Sequence, residues 1–208
     1  VVMSYLLELG TVSSVCLWGR SMGAVTALML GSSPDLPEIV SCLVLDSPFT
    51  SLQAIALEVG EMVEVGSVPR GVVQGSLSIG LEMVRRSIKN RAKFDLKKVS
   101  PISVVKNCKI PGIFLHGEVD DFIAPKHSSE LYRVYGGLKE LIIVPGDHNS
   151  PRNGLFFTEV SRFIHTHLFD QSFRELISWP LPAPVTSIEM GKGDGWFLCK
   201  MVRDGGGG

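Results

Sequence analysis

The sequence predicts an α/β fold with four parallel strands, flanking helices and a helical insertion, and three observations carry that prediction. Short, continuous apolar runs recur along the chain, helical patterns lie between them, and residues 49–107 hold helical periodicity with no convincing strand. Runs of this length and continuity suit strands of a parallel sheet covered on both faces. Their alternation with helical segments reads as a βαβ array.

The elements follow in order. Residues 1–9 read as the end of an amphipathic helix closed by Gly10. Strands are expected near 12–18, 40–46, 112–116 and 140–145, side by side in that order. Helices are expected at 22–30, 128–135 and 155–167. Inside the insertion, 51–65 and 72–88 are apolar at helical intervals, with Gly66, Pro69 and Gly71 between them. The tail, 171–208, carries Pro180, Pro182 and Pro184, then Gly191, Gly193, Gly195 and a terminal glycine run. It is expected to be irregular or loosely docked. The organisation read from this is one domain over 1–170, with 49–107 as a lid-like insertion, followed by the tail.

Bulk properties narrow the function classes. The 208 residues are 45% hydrophobic and 20% charged with a formal net charge of −1, which permits an ordinary core and gives no electrostatic reason to expect nucleic-acid binding. The four cysteines, Cys16, Cys42, Cys108 and Cys199, show no CxxC pair and no metal-type spacing. That pattern points to a reducing, cytoplasmic setting. No apolar run reaches the roughly 18–20 residues of a membrane span. The chain opens Val1-Val2, without a basic segment leading into an apolar one, so no signal peptide is read. The start without Met suggests a fragment.

The strongest chemical signal is Gly19-Arg20-Ser21-Met22-Gly23. It fits G-x-S-x-G between an expected strand and an expected helix, the context a nucleophile elbow requires. The turn demands residues without bulk two places before and after the serine, and both are glycine. The hydroxyl of Ser21 would stand above the sheet. The N–H of Met22 would point at a developing oxyanion, helped by the positive end of the helix. Arg20 reads as a partner in a structural ion pair.

A serine hydroxyl needs a base. Of the five histidines, His148 lies in Gly146-Asp147-His148-Asn149, a loop after the last expected strand. Loops at strand carboxyl ends collect the functional groups of open α/β sheets. His116 ends a strand and reads as structural; His127, His165 and His167 lie on or beside helices. The base in turn needs a carboxylate. Asp120 is the first candidate, in the loop after the preceding strand, with Asp121 and Asp46 as rivals; Asp147 reads as shaping its turn. If Asp120 is the acid, Asp46→Asn should be nearly silent.

Together these segments resemble the α/β-hydrolase superfamily, in its branch of acylglycerol lipases, protein depalmitoylases and small esterases. The resemblance rests on 17–24, Asp46-Ser47-Pro48-Phe49, His116-Gly117-Glu118-Val119-Asp120 and Gly146-Asp147-His148-Asn149, and covers about residues 1–168. It implies Ser21 as nucleophile, Asp120 as acid and His148 as base, a helical cap at 49–107, and hydrolysis of an ester or thioester with no cofactor or metal. A peptidase of the same fold and a non-catalytic module are the alternatives. Family members carry about four strands before the elbow strand, so the chain resembles the C-terminal part of the fold. That leads us to expect a first strand with an unpaired edge, a second oxyanion donor outside this chain, and weak activity in isolation.

The partner expected is a small-molecule or acyl substrate. In the insertion, Leu57, Met62, Val63, Val65, Val72, Val73, Leu77, Ile79, Leu81, Met83 and Val84 either pack the lid onto the sheet or line an acyl groove. The basic residues Arg85, Arg86, Lys89, Arg91, Lys93, Lys97 and Lys98 form a solvated face, with peripheral membrane contact as the alternative.

Overall fold

The computed structural model describes residues 2–61, 80, 82, 83, 85–91, 93, 95–168 and 196–199. The elements are α1 (Val2–Glu8), β1 (Val15–Arg20), α2 (Met22–Gly31), β2 (Val40–Asp46), α3 (Leu52–Glu61), β3 (Gly112–Gly117), α4 (Lys126–Val134), β4 (Lys139–Val144), α5 (Gly154–Leu168) and β5 (Trp196–Cys199). Residues 85–91 are also helical.

The sheet order is β4-β3-β2-β1-β5. The first four strands run parallel, in the spatial order expected. β1 begins at Val15, later than the apolar pattern suggested, and runs on through Gly19 and Arg20. The register explains this, because it pairs Arg20 with Asp46 and carries the strand up to the residue before Ser21.

β5 is a difference from expectation. Its four residues pair antiparallel with β1, Cys16 opposite Cys199 and Gly19 opposite Trp196. So β1 is paired on both sides, and part of the tail is a strand. Unpaired N–H and C=O groups on a strand edge template such an addition, and Trp196-Phe197-Leu198-Cys199 is an apolar run able to join. The rest of the tail lies outside the described residues.

Strand alternation divides the core between two faces. Leu43, Leu45 and Phe114 point one way and pack with Ala24, Ala27 and Leu28 of α2 and Leu131 of α4. Cys42, Val44, Ile113 and Leu115 point the other way, onto Phe156, Val160 and Phe163 of α5. Burying a large apolar side chain of this kind stabilises by about 1.5–3 kcal/mol. A third cluster joins Val25, Phe49, Ile55, Val99 and Ile123. It seats α3, the first helix of the insertion, against the loop that follows β3.

Of the eleven apolar insertion residues, Leu57 is half-buried and Met83 is exposed; the other nine lie outside the described residues. The basic stretch carries its own counter-charges. Arg85 grips both carboxylate oxygens of Asp95, at 2.7 and 2.9 Å, and reaches Glu82 at 2.7 Å. Lys89 adds to Asp95 and Lys97 to Glu82. The Arg85 guanidinium holds the Asp95 carboxyl far below the usual range. Among the described residues no helix is long and apolar enough to cross a membrane.

Candidate active site

Ser21 sits between β1 and α2 at φ 53 and ψ −118, a backbone region that non-glycine residues rarely adopt. Two contacts hold it there. Its N–H donates to the carbonyl of Asp46 at 2.8 Å, and its own carbonyl accepts from Val25 N–H at 3.1 Å. The turn closes so tightly that a Cβ on Gly19 would lie 2.2 Å from the Gly23 carbonyl carbon and oxygen. That is the physical reason for glycine at position 19. Met22 opens α2, so its N–H belongs to the first turn, whose amides have no intrahelical acceptor. The positive end of the helix macrodipole is there as well.

β3 and β4 deliver the next two groups. Glu118 N–H donates to the Val144 carbonyl and Val119 N–H to the Gly146 carbonyl, so the loops after the two strands are joined. A Cβ on Gly117 would stand 2.5 Å from the Gly146 oxygen; only glycine allows this approach. Nδ1 of His148 then lies 2.8 Å from Oδ2 of Asp120. A carboxylate only accepts, so Nδ1–H donates. The other oxygen of Asp120, Oδ1, accepts from the N–H groups of Phe122 at 3.1 Å and Ile123 at 2.8 Å. Asp120 is 4% exposed and His148 is 9% exposed, so the pair is shielded from bulk water. The Phe122 ring lies 5.2 Å from the imidazole.

The other sequence candidates fall elsewhere. Asp46 ends β2 with both carboxylate oxygens bound by Arg152, at 2.7 and 3.0 Å, and with Arg20 at 3.6 Å. Asp121 is exposed. Asp147 accepts from the N–H groups of Asn149 and Ser150 and from the Ser150 hydroxyl. These bonds draw its carboxyl below the usual range and shape the turn around His148.

His116 is fully buried. Its Nε2–H donates to the Ile123 carbonyl at 2.7 Å, and Nδ1 accepts from the Ser128 hydroxyl at 2.6 Å. It ties β3 to the loop that carries Asp120 and to α4. His127 bridges Thr50, 2.9 Å from Nδ1, and Glu58, 2.9 Å from Nε2, and so joins α4 to α3. His165 and His167 lie on α5.

Sequence reasoning passed over Arg152 and Phe122. Arg152 follows His148 by four residues, but no motif marks it. Phe122 stands two residues beyond Asp120, and its aromatic ring beside an acidic turn was the available signal.

No protein-family model matches the chain. It is 27% identical over 132 residues to YqkD, an uncharacterized protein of Bacillus subtilis (strain 168), across 62% of this chain and 40% of that protein. The fold matches the acylaminoacyl peptidase of Pyrococcus horikoshii with a TM-score of 0.55 at 17% identity, over 82% of this chain and 28% of the peptidase. It matches an acetyl xylan esterase from Paenibacillus sp. R4 with a TM-score of 0.54 at 15% identity, over 80% of this chain and 51% of the esterase. Acetyl xylan esterase 1 from Thermoanaerobacterium sp. JW/SL YS485 gives 0.52 at 17%, over 76% and 46%. The chain thus spans well under two thirds of the relatives it matches. Identities this low speak to the fold alone, and the fold is that of the α/β-hydrolases.

Proposed function

We propose that this chain carries the catalytic machinery of a serine hydrolase that cleaves carboxylic ester or thioester bonds through an acyl-enzyme on Ser21. The observation that carries the reading is the 2.8 Å bond between His148 Nδ1 and Asp120 Oδ2. It commits the Nδ1 proton to the carboxylate and leaves Nε2 free to act as a base. Ser21 directly follows β1, and Asp120 and His148 lie in the loops that follow the parallel strands β3 and β4. They therefore belong to the carboxyl end of the sheet.

In the proposed reaction Ser21 Oγ attacks the acyl carbon while its proton passes to His148 Nε2. The negative charge that forms on the carbonyl oxygen faces the Met22 N–H and the start of α2. Collapse of the tetrahedral intermediate breaks the bond to the alcohol or thiol, which leaves with the proton from Nε2. Water, deprotonated by the same nitrogen, then releases the acid and restores Ser21.

An apolar rim supports an acyl substrate. Met22, Val119 and Phe122 are 46%, 65% and 46% exposed, and all three lie on the segments that carry Ser21 and Asp120. The buried free thiols of Cys42 and Cys108 support a reducing, cytoplasmic setting.

A fluorophosphonate probe tests the reading, because it labels only an activated serine. Labelling of the parent that Ser21→Ala abolishes is the expected result. No labelling, or labelling that survives Ser21→Ala, rejects it in favour of a non-catalytic module. A panel of acyl esters, acyl thioesters and aminoacyl amides then ranks the bond cleaved, and preference for the amides would make the protein a peptidase.

A further inference from the structure

We propose that Arg152 is a positioning residue for His148, acting with Arg20 through the Asp46 carboxylate that both engage. This rests on the proposed function, since it concerns the alignment of that same base. Arg152 and Asp46 are almost wholly buried, with side chains 5% and 3% exposed. Arg152 spends its guanidinium on three partners. Nε–H and one terminal nitrogen bind the two oxygens of Asp46, and that nitrogen also donates to the Ser47 hydroxyl at 3.1 Å. The other terminal nitrogen donates to the carbonyl of Asp147 at 3.0 Å. The next carbonyl along, that of His148, accepts from Arg20.

Two successive carbonyls at His148 are thus each held by a different arginine. Both arginines meet one carboxylate, on the residue whose backbone carbonyl holds the Ser21 N–H at 2.8 Å. Asp46 consequently joins the two halves of the site. Its main chain fixes the nucleophile turn, and its side chain, through the arginines, fixes the base loop. A planar guanidinium can serve a carboxylate, a hydroxyl and a carbonyl at once, whereas an ammonium is a single point of donation. Misplacing a base by about 1 Å costs about a hundredfold in rate.

The test compares the 208-residue chain with Arg152→Lys, which keeps a positive charge beside Asp46, and Arg152→Ala. Three quantities are read: kcat and KM on a short p-nitrophenyl ester, thermal unfolding, and amide hydrogen exchange in the peptide containing His148. Arg152→Lys is expected to remain folded, to exchange faster in that peptide but not in β2 or β3, and to lose kcat by about 10–100-fold with little change in KM. Guanidinium ion added to Arg152→Ala should recover part of the loss. Exchange at the parental level in Arg152→Lys overturns the proposal whether or not the parent is active, and so does parental kcat with a loosened loop. If both variants fail to fold, Arg152 is a folding residue and the positioning role is rejected. An inactive parent with a loosened loop in Arg152→Lys rejects the proposed function instead and leaves the clamp standing.

Discussion

Asp120 divides its carboxylate between two tasks, giving Oδ2 to Nδ1 of His148 at 2.8 Å and Oδ1 to the backbone N–H groups of Phe122 and Ile123. One oxygen sets the ring and the other folds the loop that carries it. Asparagine can keep the second task, because its amide oxygen still accepts from both N–H groups. It fails at the first, because an NH₂ facing Nδ1 demands the opposite tautomer.

Asp120→Asn is therefore expected to retain most of the stability while the proposed hydrolysis falls by about 10⁴. Ester turnover and the urea midpoint, measured on one preparation, check both halves. A variant that loses stability in proportion to activity would show that Oδ1 carries the effect.

Ser21 is expected to show a conflict between stability and function. Its φ of 53 with ψ of −118 is strained for any residue with a Cβ, by about 1–3 kcal/mol. Ser21→Gly removes the strain and Ser21→Ala does not, although both remove the hydroxyl. The glycine variant should be the more stable by about 1 kcal/mol, after allowance for its freer unfolded chain. Chemical denaturation of the two side by side decides it, and an alanine variant at least as stable would mean that the elbow stores no strain.

The elbow was legible in the sequence because its constraints are local. Gly19 and Gly23 must approach each other, and each stands two residues from Ser21. The loops bearing Asp120 and His148 were legible because each ends a run of apolar residues. What sequence could not supply was long-range pairing. Arg152 and Asp46 are 106 residues apart, and nothing near either names the other. An aspartate at a strand end is as good a rival for the acid as it is an arginine partner until the packing is known. β5 escaped notice for a related reason: four apolar residues amid glycine and proline become a strand only because β1 offers an edge.

His116 gives the fold a predictable pH response. Burial pushes its pKa below the ordinary histidine value, only partly opposed by the Ile123 carbonyl and by Asp120. Below about pH 6.5 the unfolded chain takes up a proton that the folded chain resists. Stability from this group is therefore fully present above that pH and declines as pH falls toward the folded value. His116→Gln should flatten the fall in unfolding free energy between about pH 7 and 5, by at most one proton's slope, about 1.4 kcal/mol per pH unit. Urea unfolding across that range tests it, and an unchanged slope would place the titration on another histidine.

Asp46 reverses an expectation from the sequence. As a mere rival for the acid, it should tolerate Asp46→Asn almost silently. The structure instead gives it two arginines, one of them 5% exposed. The amide would leave the Arg152 guanidinium buried with no anion and would place an NH₂ against one of its N–H groups. Removing one member of a buried ion pair typically costs about 3–5 kcal/mol. Asp46→Asn is expected to lose stability in that range. Replacing the pair together, as Asp46→Asn with Arg152→Met, should lose less than the sum of the two single changes, since no buried guanidinium at 152 is left without its anion and the remaining cation, Arg20, is one third exposed. A double-mutant cycle in urea measures the coupling. A coupling near zero would mean that the two side chains contribute independently and that the Asp46–Arg152 contact stabilises neither the fold nor the loop around His148.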